Sequence, residues 1–320
     1  MPAGIQLVAV DLGSNSFHLI LAELQNGKLH IMHNVREQVQ LANGLTASHE
    51  LTPEAQQRAL DCLQRFGQYT RDLPPEQVAI VGTYTLRAAL HLQDFLTKAE
   101  IALGHPIDII SGEQEARYIY DGVLYTCGIS HSSRLILDIG GGSTELIIGT
   151  GTHTELVKSV ELGCVRIAQR FFNIEDGIVV WSTEHFQKAY LASCHIFSPL
   201  RKEYRSLGWD ECWGTSGTLN AVLQVLMAHG WTDRPCFNME NLQKLRQYLS
   251  EHPKLALSQL PGLNTSRSSV FASGMAILCA FFDTLEIEEI HYATGGLREG
   301  LLYQLARLHG LDTSQLILKV

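Results

Sequence analysis

Residues 8–21 read VAVDLGSNSFHLIL, and residues 135–148 read LILDIGGGSTELII. In register, Asp11 meets Asp138, Gly13 meets Gly140 and Ser16 meets Ser143, while Leu19-Ile20 meets Leu146-Ile147. Each copy is an apolar run, an Asp, a Gly-rich turn with hydroxyls, and a second apolar run. That pattern predicts strand, tight turn, strand. Small residues at the turn let backbone N–H groups face outward, and such concavities bind phosphate. An Asp at the end of the first strand can hold a divalent ion, directly or through water. Two copies predict two half-molecules facing one another across an anionic ligand.

The same order of elements follows each copy. Strands are expected at Ile5–Val10, Phe17–Leu24 and Leu29–Val35, with a hairpin turn at Gln25-Asn26-Gly27-Lys28. Thr52-Pro53-Glu54 opens a helix with an N-cap hydroxyl and an early Pro, and Leu73-Pro74-Pro75 ends it. Val78–Gly82 is a buried strand, Thr85–Leu103 one helix and Ile107–Ile110 a strand. Ser111 then caps a new helix, with Gln114 in the capping-box position. The second half repeats a meander at Arg134–Asp138, Thr144–Gly149 and His153–Glu161. A helix over Thr183–Tyr204 follows, kinked at Pro199, then a strand at Asp210–Trp213 and helices through Met227 and over Asn238–Glu251. Ser266–Leu285 is an apolar helix, Glu289–Ala293 a strand and Leu297–Leu308 the last helix. The repeated β-β-β-α-β-α-β-α order, with D-x-G-x-x-S at each first turn, resembles actin-like, ribonuclease-H-like domains. The expected fold is therefore α/β: two such domains, each a mixed five-stranded sheet with flanking helices, and a cleft between them. The boundaries expected are 1–118 plus about 304–320 for one domain and 119–303 for the other, with a hinge near 117–123.

At 320 residues the chain is long enough for two domains. Its formal net charge of −9 argues against broad binding to nucleic acid or anionic membranes, although a polyanion needs only local positive potential. The seven Cys are scattered, with no C-x-x-C pair, which fits reduced thiols in a cytoplasmic protein. No signal peptide is expected, and no apolar run approaches a membrane span.

Several residues carry candidate chemistry. Asp11, Gly13, Ser14, Asn15 and Ser16 form the first loop, and Asp138, Gly140, Gly141, Gly142, Ser143 and Thr144 the second. Read as phosphate clamps, their amides and hydroxyls hold oxygens; read blandly, they are polar turns. Glu115 stands in the first turn of a helix, where acidic residues complement the macrodipole. The same place follows the last strand of its domain, where α/β sheets put site residues. A carboxylate there can orient and deprotonate a water. Arg87 is either an exposed helix cation or a bidentate phosphate contact. Glu145 lies just beyond Thr144. Gly214–Thr218, including Ser216 and Gly217, and Gly295-Gly296-Leu297-Arg298 are Gly-rich helix starts, which attract anions or simply turn tightly. His30 and His33 are expected on opposite strand faces, and Cys164 in the packing.

These residues resemble the exopolyphosphatase and guanosine pentaphosphate phosphatase (Ppx/GppA) family. The resembling segments include AVDLGSNSFHLI (9–20), VGTYTLRAAL (81–90), IISGEQEARYIYDGV (109–123), LILDIGGGSTELIIG (135–149), LGCVRIAQRFF (162–172), WGTSGTLNAV (213–222), SGMAILCAFFD (273–283) and GGLREGLLY (295–303). The resemblance implies a phosphohydrolase that removes a terminal phosphate from inorganic polyphosphate or converts pppGpp to ppGpp, usually with Mg²⁺. It implies Glu115 as the water-activating carboxylate, Asp138 and Glu145 in metal binding and catalysis, and Arg87 and the Gly-rich loops, with Arg298, as substrate contacts. Gln114 stands where relatives commonly have Glu. No C-terminal HD-type region of the kind larger members carry is expected, so short polyphosphate or pppGpp is expected over long chains. A homodimer is expected by analogy alone. An actin-like small-molecule kinase and a non-catalytic nucleotide-binding or filament module are the alternatives that the duplicated loops leave open.

Overall fold

The computed structural model describes residues 4–172, 181–253 and 255–311. The chain forms two compact units. One comprises the chain up to Ser130 together with the chain from Gly295 on; the other is His131–Thr294.

In the first unit β1 (Ile5–Leu12), β2 (Phe17–Gln25) and β3 (Lys28–Glu37) form an antiparallel meander. Helix α1 (Pro53–Thr70), strand β4 (Val78–Gly82), helices α2 (Tyr84–Ala88) and α3 (Gln93–Leu103), strand β5 (Asp108–Ile109) and helix α4 (Gly112–Cys127) follow. The sheet order is β3-β2-β1-β4-β5, with β4 parallel to β1 and β5 parallel to β4. Central β1 is apolar along Leu7–Val10 because helices or neighbouring packing cover both its faces; those four side chains are fully buried. Val8, Val10, Phe17 and Leu19 pack with Ala55, Leu63 and Phe66 of α1 and Phe95 and Leu103 of α3 in one core.

The second unit begins with another meander, β6 (Ser133–Ile139), β7 (Thr144–Thr150) and β8 (His153–Val160). Then come α5 (Cys164–Phe171), α6 (Thr183–Phe197), α7 (Arg201–Leu207), β9 (Glu211–Thr215), α8 (Ser216–Ala228), β10 (Cys236–Asn238), α9 (Met239–Glu251), α10 (Ser268–Leu285) and β11 (Glu289–Tyr292). The order is β10-β11-β9-β6-β7-β8, so this sheet has six strands where five were expected. The additional edge strand β10 is three residues long, too short for a period-2 pattern to reveal it. Helix α11 (Leu297–Leu308) belongs to the first unit.

The two mixed sheets with flanking helices are the expected actin-like architecture. Several boundaries differ. The compact units divide at Ser130/His131 and Thr294/Gly295, rather than at 118/119 and 303/304. Helix α4 runs unbroken through 117–123, where a hinge was expected, because α11 packs along it; residues 312–320 of the expected return lie outside the described residues. The helix expected over Thr85–Leu103 is two, since the chain turns at His91 with φ +56°. Pro199 does more than kink its helix: a 3₁₀ turn at Ser198–Leu200 separates α6 from α7. In the first sheet, β3 carries a bulge opposite Leu21/Ala22, pairing His33 with Leu21 and His30 with Glu23. The extra residue puts the two His on one face, against strict alternation. The 21-residue stretch Thr265–Leu285 is long and apolar enough to cross a membrane, although no such run was expected; 83% of its 18-residue apolar window is buried in the fold, and its apolarity serves the core.

The α4–α11 joint contains an acid that burial works against. Asp121 Oδ2 accepts from Gln304 Nε2 at 2.7 Å. Burial pushes the Asp121 carboxyl above its ordinary value, against the opposing pull of Gln304 and Arg307. A raised folded value means that the folded chain holds the proton longer. Stability therefore falls as pH climbs from the unfolded value of about 4 through the folded one. Asp121→Asn removes the charge and keeps an acceptor. The variant is expected to be more stable than wild type at neutral pH, with the gap closing below about pH 4. Urea unfolding at both acidities measures it.

Candidate active site

The duplicated turns have matching geometry. A Cβ on Gly13 would lie 2.8 Å from the carbonyl oxygen of Ser16, and one on Gly140 would lie 3.1 Å from that of Ser143. Each glycine is needed for a close approach of the turn to itself, which draws the chain into a tight hydroxyl-bearing loop.

In the first unit Ser14, Asn15 and Ser16 are buried. The Thr85 hydroxyl, at the start of α2, donates to Ser14 Oγ at 2.8 Å. Asn15 Nδ2 donates to Ser16 Oγ at 3.4 Å, and Arg36 reaches the same oxygen through Nε and Nη2 at 3.4 and 3.3 Å. Arg36 sits on β3 directly opposite His18, and His18 is in turn opposite Asp11. Arg298 Nη1 meets His18 Nδ1 at 2.9 Å, and its Nε bonds Glu299 at 2.6 Å. The loop is thus flanked by two guanidinium groups on paired strands and on α11.

A third guanidinium, that of Arg87 on α2, holds Glu115. Arg87 Nη1 donates to Ile110 O at 2.7 Å, and Nη1 and Nη2 lie 3.3 and 3.4 Å from Glu115 Oε2. Glu115 is 8% exposed. Its position follows from the capping box: Ser111 Oγ accepts from the Gln114 amide, and the Gln114 side chain accepts from the Ser111 amide. This box fixes the first turn of α4 and turns Glu115 inward while Glu113 is exposed. The parallel strands β4 and β5 deliver Arg87 and Glu115 from neighbouring C-terminal ends, the edge at which α/β sheets bind ligands.

In the second unit the strand register makes a polar row. Asp138 lies between Glu145 on β7 and Thr215 on β9, and Ser159 on β8 lies beyond Glu145. Directly opposed residues share a face, so both carboxylates project to the same side. Ser159 Oγ donates to Glu145 Oε1 at 2.7 Å, and Glu145 is 1% exposed. Oxygen-only donors of this kind suit Mg²⁺, which takes one or two carboxylates with phosphate and water completing the shell. Below this row the segment Leu162–Val165 closes on the glycine turn. Cys164 and Val165 donate to the Gly140 and Gly141 carbonyls at 2.9 Å each, and Thr144 Oγ1 donates to Leu162 O. A Cβ on Gly163 would lie 2.2 Å from Gly141 O. Cys164 is 1% exposed and packs in the core, where burial pushes its thiol up, with Arg267 pulling the other way.

The two later Gly-rich turns serve different ends. Ser216 has φ +88°, a left-handed backbone costly for a non-glycine residue, and its hydroxyl accepts from the Thr218 amide at 3.2 Å. The Arg267 guanidinium lies against Gly217, where a Cβ would collide with it, while Gly214 makes room for Ile290 and Leu219. Gly295 and Gly296 are packing glycines. A Cβ on Gly295 would lie 2.1 Å from Gly122 O, and the Gly295 amide donates to Thr126 Oγ1 at 3.1 Å. The Gly296 amide donates to Glu299 at 2.9 Å. These two amides are hydrogen-bonded inside the fold, the arrangement of the tight-turn reading.

Sequence reasoning missed Arg36, Thr85, His18 and Arg267. Arg36 and His18 become visible once the β2–β3 hairpin is placed in register; nothing local marks Thr85 or Arg267.

Duplicated hydroxyl loops, a buried carboxylate on an arginine and a carboxylate pair are thus carried on two mixed sheets of actin-like fold. The comparisons narrow the class. The Ppx/GppA phosphatase family profile matches residues 20–309, and the chain belongs to that family. It is a hydrolase of the phosphatase kind. Among solved structures it is similar to an exopolyphosphatase from Cytophaga hutchinsonii, at 22% identity and TM-score 0.82, covering 96% of this chain and 99% of that one. It is also similar to the Aquifex aeolicus member of the Ppx/GppA family, at 21% identity and TM-score 0.75, with the same coverages of 96% and 99%. Nucleoside triphosphate hydrolases from Neospora caninum share the fold at 10% identity and TM-score 0.58, over 97% of this chain and 93% of that one.

Proposed function

We propose that the protein hydrolyses terminal phosphoanhydride bonds of inorganic polyphosphate, of pppGpp, or of both, with Mg²⁺. The observation that carries the reading is the buried Glu115 carboxylate fixed by Arg87. A kinase acceptor pocket or a filament contact gives no reason for that pair. The likeness to an exopolyphosphatase supports polyphosphate as substrate class.

Glu115 orients a water and accepts its proton as the water oxygen bonds to the terminal phosphorus. The bridging oxygen leaves with the electron pair of the broken P–O bond, carrying the shortened phosphate chain. Phosphoryl transfer needs chiefly positioning and charge neutralisation. A guanidinium has five N–H donors, so Arg87 can keep Glu115 and Ile110 and still offer protons to a phosphate oxygen. Arg36 brings positive charge to the Ser14–Ser16 hydroxyls. Asp138 and Glu145 are the residues that would hold Mg²⁺, which supplies charge neutralisation on the phosphate oxygens. Ser159 keeps the Glu145 carboxylate oriented.

Phosphate release from short polyphosphate, long polyphosphate and pppGpp, with Mg²⁺ and with EDTA, tests this. Release from at least one substrate, lost in EDTA and in Asp138→Asn, is the expected result. Release that persists unchanged in EDTA would remove the metal from the proposal. No release from any of the three would remove the function.

A further inference from the structure

Away from both loops, three side chains converge on the outer edge of the second sheet. Among the described residues, Cys236, Glu289 and His291 form a group whose ligating atoms all lie within 4.8 Å of one another. We propose that they bind a zinc-class transition-metal ion, a second metal site chemically separate from the Mg²⁺ carboxylates.

The backbone dictates the convergence. Strand β10 pairs antiparallel with β11, and Cys236 stands directly opposite His291. Opposed residues share a face, and Glu289 shares it too, being two residues before His291 on the same strand. His291 Nε2 and Glu289 Oε1 are already 3.5 Å apart. Ligand atoms around a tetrahedral ion with bonds of ~2.0–2.3 Å stand roughly 3.5 Å from each other, so only the thiol side must draw in. The other carboxylate oxygen, Oε2, faces Arg234 at 3.3 Å and need not move.

The surroundings are pinned. The Tyr292 amide donates to Pro235 O at 2.7 Å, and Thr232 Oγ1 donates to Cys236 O at 3.0 Å, which fixes the backbone entering β10. The Trp213 indole, next to His291 on β9, lies with its centroid 5.2 Å from the imidazole and walls the site on the sheet side. Glu211 accepts from Trp213 Nε1 and Arg134 Nε, both at 2.9 Å, adding an oriented carboxylate behind that wall. Cys236 is buried, while the side chains of Glu289 and His291 are 35% and 39% exposed, so an ion can reach the group from solvent.

Donor chemistry names the ion. Thiolate, imidazole and carboxylate together are the zinc set, whereas Mg²⁺ takes oxygen donors in a near-octahedral shell. Three protein ligands leave a fourth position for water. Binding releases the Cys236 thiol proton to solvent and staples β10 to β11.

The test uses the full chain, stripped with EDTA and then dialysed. Zn²⁺ is titrated against a chromogenic chelator, and Co²⁺ is added to a second sample for its spectrum. One equivalent of Zn²⁺ is expected to bind, and the Co²⁺ form should show a thiolate charge-transfer band in the near ultraviolet. Loss of an outer-shell partner weakens metal affinity 10- to 100-fold, so loss of a ligand in Cys236→Ser or His291→Gln should exceed roughly 100-fold and abolish the band in the former. Melting in EDTA checks that each variant is folded; His291→Gln, at a partly exposed position, carries the test if the buried Cys236→Ser does not fold. No competitive Zn²⁺ binding, a Co²⁺ spectrum without the band, or unchanged affinity in the folded His291→Gln chain would each overturn the site.

Discussion

Glu115→Gln is expected to cut phosphate release by about 10²- to 10⁴-fold while leaving substrate affinity near wild type, since a positioned general base contributes about that much. The substitution is close to isosteric. Gln keeps an oxygen that can accept from Arg87, whose Nη1 and Nη2 lie 3.3 and 3.4 Å from the native carboxylate. It also leaves the Ser111–Gln114 capping box alone, so the first turn of α4 stays formed. What disappears is the capacity to take a proton from water. The readout is kcat separately from KM, with direct binding of a phosphate-chain substrate to the variant. A variant that turns over at near wild-type rate removes Glu115 from the chemistry. One that loses binding together with turnover would instead make Glu115 a positioning residue for Arg87.

Gly300→Ala and Gly122→Ala should be the most destabilising single-methyl changes in the first unit. Helices α4 and α11 touch through backbone. A Cβ on Gly300 would lie 1.8 Å from Tyr118 O, and one on Gly122 would lie 2.0 Å from Gly296 O. No side-chain rotation relieves a clash with a carbonyl, so the helices must separate along their length. Overpacking usually costs about 1–3 kcal/mol, and a backbone collision belongs at or above the upper end. Separation also loosens what the joint holds in register. The Gly295 amide loses Thr126, and Tyr303 loses its ring contact with Tyr125, 5.7 Å between centroids. Denaturant midpoints of the two variants against wild type measure the cost. Midpoints within error of wild type would mean that the helices do not pack this closely.

Both expectations connect one helix to two levels of the protein. The N-terminal turn of α4 presents Glu115, and its remaining turns anchor α11. The same α11 carries Arg298 to His18, beside Asp11 and Arg36 in the strand register. Disturbing the glycine joint should therefore reach the first loop through Arg298 without any change to a loop residue.

Much of this was legible in the chain alone because the signals are local. The duplicated Asp-Gly-Ser turns sit between apolar runs that can only be buried strands, and each turn closes as its glycine requires. Ser111 and Gln114 announce their capping box within four residues, and Glu115 follows from it. The family resemblance carried by those motifs agrees with the profile match over 20–309. The features that only tertiary structure decided are those set by distant partners. Gly295 reads as part of an anion-binding turn, yet the carbonyl of Gly122 and the side chain of Thr126, both on α4, lie against it. Arg36 and Arg267 carry no motif; pairing of β3 with β2 brings one to Ser16, and the chain entering α10 lays the other on Gly217. Cys236, Glu289 and His291 are separated by more than fifty positions in part, and only the antiparallel pairing of a three-residue edge strand brings them together. Periodicity and capping act over a few residues and are written in sequence. Register between strands is settled by whole-sheet burial, which fixes which side chains meet.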